Sequence, residues 1–244
     1  MSFMDKIVVI TGGANGIGNC MAKEFMRAGA KVAIIDIDTK ATNCDFYYCG
    51  DIAEEQTLVK FSEQVIEKYC KIDFLINNAC ISRKGILSNC SYEEFLYVMK
   101  VGVTAPYMLT KLFLESFNEH GAVINISSTR SYMSQQDTES YTAVKGGIRA
   151  LTHALAVSLS GRVRVNSISP GWIDTTNHEW SAEDRDQHPV RRVGNPQDIA
   201  KMAMFLCSED SGFITGEDII IDGGMSKMMI YHNDFNWKYE KELE

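Results

Sequence analysis

Residues 6–18 read KIVVITGGANGIG, and this stretch decides the fold. Lys6 to Thr11 is a short β-branched apolar run of the kind buried on both faces of a parallel sheet. It passes straight into Thr11-Gly12-Gly13-Ala14-Asn15-Gly16-Ile17-Gly18. Glycines there allow a tight turn and a close approach of backbone N–H groups to a ligand. A helix is expected from about Ile17 to Ala28, with Ile17, Met21 and Phe25 along one stripe. Its amino end offers free N–H donors and the positive end of a dipole, a seat for a pyrophosphate. A glycine-rich turn alone is a weak signal; a strand before it and a helix after it supply the context that gives it meaning.

Working outward, Gly29 ends that helix and Lys31 to Asp36 forms a second strand. Asp36 stands at its carboxyl end, 18 residues past Gly18. A carboxylate there can accept hydrogen bonds from the adenosine ribose hydroxyls and would repel a 2′-phosphate. No Arg or Lys lies in the glycine loop or directly after Asp36, Lys40 being the nearest. The pattern therefore favours NAD over NADP. Nine residues separate Asp36 from Phe46, where another strand begins. A parallel crossover normally takes about a dozen residues, so the adenine side is expected to be open. Asp51 and Ile52 follow this strand and can flank the adenine ring. A helix over Glu54 to Tyr69 is amphipathic through Leu58, Phe61, Val65 and Ile66.

A fourth strand, Phe74 to Ile76, ends in Asn77-Asn78-Ala79-Cys80, whose amides can tie strands together and line a ligand crevice. A long helix is expected from Tyr92 to Phe117. Gly121 then starts a strand that delivers Ser127 and Ser128. Tyr141 and Lys145 are four residues apart and so stack on one helical face. A phenol titrates near pH ~10, and an ammonium one turn away favours the phenolate. That makes the pair a candidate acid/base, with the Ser128 hydroxyl aimed at a carbonyl or alcohol oxygen. Alone, Tyr-x-x-x-Lys is ordinary helix decoration; its weight comes from agreement with the other segments. Gly146 and Gly147 are expected to let this helix pack closely on a neighbour. Val163 to Ser169 is a sixth strand, ending in Pro170-Gly171-Trp172-Ile173-Asp174-Thr175. Pro170 and Gly171 form the turn; the Ile173 backbone and the Thr175 hydroxyl can meet the nicotinamide amide and the phosphates. Thr176 to Pro189 reads as a short substrate lid. Asn195 and Pro196 open a further helix, and Ile219 to Asp222 is a seventh strand.

Composition narrows the class. A chain of 244 residues fits one large α/β domain. The formal net charge of −8 argues against nucleic acid or anionic membrane as the main partner. No apolar run approaches the ~20 residues of a membrane span, and no signal-peptide pattern precedes Lys6. The seven cysteines contain no C-x-x-C pair and read as reduced cytoplasmic thiols, and the five scattered histidines suggest no metal cluster. Strands alternating with helices imply a doubly wound Rossmann fold, a seven-stranded mostly parallel sheet with helices on both faces. It is expected to span residues 1–244 as a single domain, with 225–244 as a C-terminal extension. Met225, Met228, Met229, Ile230, Tyr231, Phe235 and Trp237 make that extension apolar enough to pack on a partner subunit or over the active-site mouth.

Taken together, the run Thr11 to Gly18, Asp36, Asp51, Asn77-Asn78-Ala79, Ser128, Tyr141-x-x-x-Lys145, Pro170-Gly171 and Asp222-Gly223-Gly224 resemble the short-chain dehydrogenase/reductase family over nearly the whole chain. The resemblance implies hydride transfer between a nicotinamide and an alcohol/carbonyl pair. In it Tyr141 is the acid/base, Lys145 lowers its pKa and binds the nicotinamide ribose, and Ser128 orients the substrate oxygen. It also implies a homotetramer or homodimer, with the helices near Tyr92 and Tyr141 at the main interface. Three features depart from the family pattern: Cys80 replaces a Gly, the helix between the second and third strands is nearly deleted, and Gly102 stands where an Asn often holds a relay water. A second water or Lys100 would then carry the relay, or catalysis is slowed. These departures motivate an alternative, an NAD-binding sensor or scaffold with vestigial catalysis. An enoyl reductase of the same fold is disfavoured, since that chemistry goes with a wider Tyr–Lys spacing. Arg130 is read as a solvated loop charge, with pairing to a substrate carboxylate as the other possibility.

Overall fold

The computed structural model describes residues 2–40 and 43–238. The chain opens with β1 (Ile7–Thr11), α1 (Gly16–Arg27), β2 (Lys31–Asp36) and β3 (Phe46–Cys49). Next come α2 (Glu55–Tyr69), β4 (Ile72–Asn77) and α3 (Tyr92–Met99). After a π-helical turn over Lys100–Thr104 follow α4 (Ala105–Leu112), β5 (Phe117–Ile126) and α5 (Glu139–Ser158). The last elements are β6 (Val163–Pro170), α6 (Ala182–Asp186), α7 (Pro196–Cys207) and β7 (Asp218–Ile221).

The seven strands form one sheet in the order β3-β2-β1-β4-β5-β6-β7. Every adjacent pair is parallel. This is the doubly wound Rossmann architecture. Alternation along the strands explains the layers, because successive side chains point to opposite faces. Val8 and Ile10 of β1 pack with Met21 and Phe25 of α1 and Ile199 and Leu206 of α7. Ile7 and Val9 pack on the other face, with Leu58 and Phe61 of α2, Leu109 of α4 and Ala156 of α5. Asn195 caps α7 by accepting from the Asp198 amide, with Pro196 in the first turn.

The long helix expected over Tyr92 to Phe117 is not continuous. Its middle widens into the π-helical turn, it ends at Leu112, and Phe117 already pairs with Ile72 as the first residue of β5. The π turn is centred on Gly102. Of the apolar residues along this stretch, Phe95 is exposed, whereas Leu109 and Phe113 are buried. A Cβ on Gly147 would lie 3.0 Å from Val103, whereas one on Gly146 would meet nothing within 4 Å among the described residues. The described part of the β2–β3 connection contains no helix; Ala41 and Thr42 within it lie outside the described residues. Residues 225–238 of the extension fold back in short turns and leave Met229, Tyr231 and Phe235 exposed; its end, 239–244, lies outside the described residues. No helix among the described residues is long and apolar enough to cross a membrane.

Candidate active site

From β1 the chain turns outward to β2 and β3; from β4 it proceeds the other way to β5, β6 and β7. At this reversal the loops after neighbouring strands part and leave a crevice at the carboxyl ends. A cavity of about 550 Å³ occupies it, lined by residues that follow β1 through β6.

One end of the cavity is walled by the glycine turn. A Cβ at Gly12 would lie 2.9 Å from the Ala79 Cα, and one at Gly18 would lie 2.1 Å from the Gly12 carbonyl oxygen. Neither contact is tolerable, so the turn closes on itself and on the β4 end only with glycine there. Asn78 locks the closure: its Nδ2 donates to the carbonyls of Thr11 and Gly12, while Thr11 Oγ1 accepts from the Asn78 and Ala79 amides. Asp36 accepts from the Ala14 amide at 2.9 Å and the Asp38 amide at 3.0 Å. Asp38 in turn accepts from Asn15 Nδ2. Further along, Asp51 accepts from the Ala53 amide and from the Tyr97 hydroxyl, each at 2.9 Å. Burial, then the Asp51 bond, push the Tyr97 phenol above its ordinary pKa.

Gly12, Asn15, Ile17, Asp36, Asp51, Ile52, Asn78, Ala79, Pro170, Gly171 and Ile173 all line the cavity. Gly16, Gly18 and Thr175 do not. Gly16 (φ +54°) and Gly18 shape the turn behind the wall, and the Thr175 methyl lies against Gly16. Tyr97, Cys80, Ile81, Val101 and Gly50 also line it and were not among the sequence candidates. Tyr97 has no local signal, because only the fold brings α3 beside Asp51, two residues past β3.

The other end of the same cavity holds Ser127, Ser128, Tyr141 and Lys145. Lys145 is buried. Its Nζ donates to the Ile126 carbonyl at 2.7 Å and lies 5.3 Å from the Tyr141 ring centroid. The Ser127 hydroxyl donates to the Lys145 carbonyl. Asn77 donates to Asn125, which donates to Thr152, so β4, β5 and α5 are joined by a buried polar chain. The Ser128 Oγ accepts the Arg130 amide at 3.2 Å and keeps its own proton to donate. A Cβ on Gly102 would lie 2.2 Å from Val144 Cγ1, so Val144 fills that place. Lys100 is exposed.

The segment after β6 meets the cavity only as far as Ile173, and none of residues 174–189 lines it. The segment contains α6, a Trp172–Trp180 edge contact at 4.5 Å, and the buried His188. The Thr176 amide, then its hydroxyl and the His178 amide, hold the Asp174 carboxyl down to about 2.

The wall fits a nicotinamide dinucleotide. It offers an open amide-rich turn at a helix amino end, a carboxylate after β2 for ribose hydroxyls, and a buried ammonium beside a phenol. A family model described as enoyl-(acyl carrier protein) reductase matches residues 12–226. The chain is 40% identical over 252 aligned positions to a Thermotoga maritima protein described as an uncharacterized oxidoreductase, covering 93% of this chain and 98% of that one. It is similar to a structure described as an apo SCOR enzyme from Clostridium thermocellum, with 50% identity and TM-score 0.92, covering 98% and 100% of the two chains. It is also similar to a 3-ketoacyl-(acyl-carrier-protein) reductase from Brucella melitensis complexed with NADH, with 31% identity and TM-score 0.84, covering 92% and 100%.

Proposed function

The chain belongs to the short-chain dehydrogenase/reductase family of oxidoreductases, and from that premise we propose that it is an NAD-dependent dehydrogenase or ketoreductase acting on a secondary alcohol/ketone pair. The observation that carries the reading is the meeting of Ser128, Tyr141 and Lys145 in the cavity whose far end is closed by the glycine turn and Asp36.

The residues divide the work by position. The amides at the start of α1 and the turn Gly12 to Gly18 hold the pyrophosphate. Asp36 accepts from the adenosine ribose, and Asp51 and Ile52 flank the adenine. Asn78, Ala79, Pro170, Gly171 and Ile173 complete the seat, with Thr175 behind the turn against Gly16. When bound, the nicotinamide supplies the hydride acceptor for the alcohol or the hydride donor for the ketone. Ser128 donates to the substrate oxygen and fixes its place. Tyr141 takes the hydroxyl proton in oxidation and returns it in reduction. Lys145, held by the Ile126 carbonyl, puts positive charge beside the phenol and favours its deprotonated form; it also serves the nicotinamide ribose. NAD is favoured because the Asp36 carboxylate, held by the Ala14 amide, lines the cavity and would repel a 2′-phosphate, with the Asp38 charge close by on Asn15.

The ketone/alcohol reading is preferred to enoyl reduction because Tyr141 and Lys145 are one helical turn apart on α5. We read the chain as one domain. A homodimer or homotetramer is supported by exposed Tyr92, Phe95, Leu96 and Tyr107 on α3 and α4, and a cytoplasmic site by the free thiols.

The test is Tyr141→Phe. NADH formation from a turned-over secondary alcohol is expected to fall at least about a thousandfold, with NAD affinity nearly unchanged by calorimetry. A fully active variant refutes the mechanism. Tight NAD binding with no turnover of any secondary alcohol, ketone or enoyl thioester by the parent protein would favour the sensor.

A further inference from the structure

Asp51 lies two residues past β3, and three contacts fix its place. The Gly50 amide donates to the Asp36 carbonyl at 2.9 Å, which ties the turn after β3 to the end of β2. The Ala53 amide donates to Asp51 Oδ1, and the Tyr97 hydroxyl donates to Oδ2, each at 2.9 Å. Tyr97 comes from α3, whose start is set by a reciprocal cap between Ser91 and Glu94. It lines the cavity, as Asp51 does. The Arg83 guanidinium lies over its ring, 6.0 Å from the centroid.

A carboxylate offers about four acceptor sites, so these two donors leave room for further ones from a ligand. Burial, then the Asp51 bond, hold the Tyr97 phenol above its ordinary pKa against the opposing pull of Arg83, so it stays a donor at neutral pH. Without the phenol the carboxylate would be held by one amide on one oxygen, and its plane would be free to turn. Ile37 and Ile52, next in sequence to Asp36 and Asp51, also line the cavity and offer apolar contact to a flat ring. The outer edge of adenine carries one donor, its exocyclic amine. Hypoxanthine has an oxygen at that place, an acceptor that a carboxylate repels.

We propose that Tyr97 is a positioning residue for the cofactor: it sets the Asp51 carboxylate to accept from the adenine amine, and so makes the site selective for an adenine over a 6-oxopurine dinucleotide. The proposal rests on the reading of this cavity as an NAD site. Tyr97 acts through Asp51 rather than on the reacting atoms. Its effect therefore falls on cofactor affinity and not on the proton or hydride steps.

The experiment measures calorimetric affinity for NAD and for nicotinamide hypoxanthine dinucleotide, the same cofactor with its amine replaced by oxygen. The parent protein is expected to favour NAD by about tenfold or more. Tyr97→Phe keeps the ring and removes the hydroxyl. It should cut that ratio at least about threefold, chiefly by weakening NAD, and in turnover it should raise the KM for NAD with kcat unchanged. Asp51→Ala should bring the ratio near one. Adding Tyr97→Phe to Asp51→Ala should change the ratio no further, since a residue acting through Asp51 then has nothing left to position. A parent ratio near one, or a Tyr97→Phe protein that keeps the parent ratio, overturns the proposal while leaving the NAD reading in place. So does a Tyr97→Phe protein that weakens both dinucleotides alike, which would make the hydroxyl a packing contact of α3. A parent that binds neither dinucleotide overturns the cofactor reading itself, and the proposal with it.

Discussion

At the scale of single residues, Asp36 is the residue on which the proposed cofactor choice rests. Both of its oxygens already accept an amide, from Ala14 and from Asp38, which fixes the carboxylate's orientation toward the cavity. Each oxygen keeps a free lone pair for a ribose hydroxyl. Asp38 adds a second charge, kept ionised by the Lys40 amide and then by Asn15, which hold it below its ordinary pKa. Asp36→Asn preserves shape and removes one charge. Its NADP-to-NAD ratio of kcat/KM should rise at least about tenfold, yet NAD should remain the better cofactor because Asp38 stays. Steady-state rates with both cofactors decide this, and an unmoved ratio would take Asp36 out of the discrimination. Asp36 was legible because its position relative to a glycine turn is a matter of chain length. Tyr97 was not, because its bond to Asp51 spans 46 residues and arises only where α3 passes the end of β3. Arg130 was legible as a loop charge, and it is half-buried in the structure; that its Nη1 lacks a hydrogen-bond partner depends on packing that no spacing encodes.

At the scale of elements, the instructive pair is the π turn and α5. Val144, next to Lys145, occupies the space that any side chain at Gly102 would need. The missing Asn is therefore matched by a branched residue on the facing helix. Gly102→Asn should lose about 1–3 kcal/mol of stability from overpacking, and adding Val144→Ala should recover most of it. Denaturant melts of the two single variants and the double measure the coupling; a single Gly102→Asn variant as stable as the parent would show that the contact yields. Periodicity located the helices well where one face is buried throughout, as in α1 and α2. It misjudged the stretch from Tyr92 to Phe117, because a π turn shifts the buried face midway and Phe117 is equally apolar in a helix or a strand.

At the scale of the whole molecule, alternation of strands with helices was enough to read a doubly wound parallel sheet, since right-handed crossovers leave few other arrangements. The clipped connection after β2 was legible from length alone. The extension's packing was not. Within this chain Met229, Tyr231 and Phe235 remain exposed, so the described part of the segment adds little to the stability of the isolated subunit. A chain ending at Ile230 should unfold at the same midpoint in dilute solution but show altered assembly by light scattering or altered turnover. Unchanged assembly and turnover would end the case for a docking role.

The order of the strands has one more consequence. The two outermost, β3 and β7, are four residues each, whereas β5 in the interior has ten. A rim that short exposes few unpaired N–H and C=O groups, and twist carries them quickly out of line. A sheet rimmed in this way offers little template for endless fibre growth.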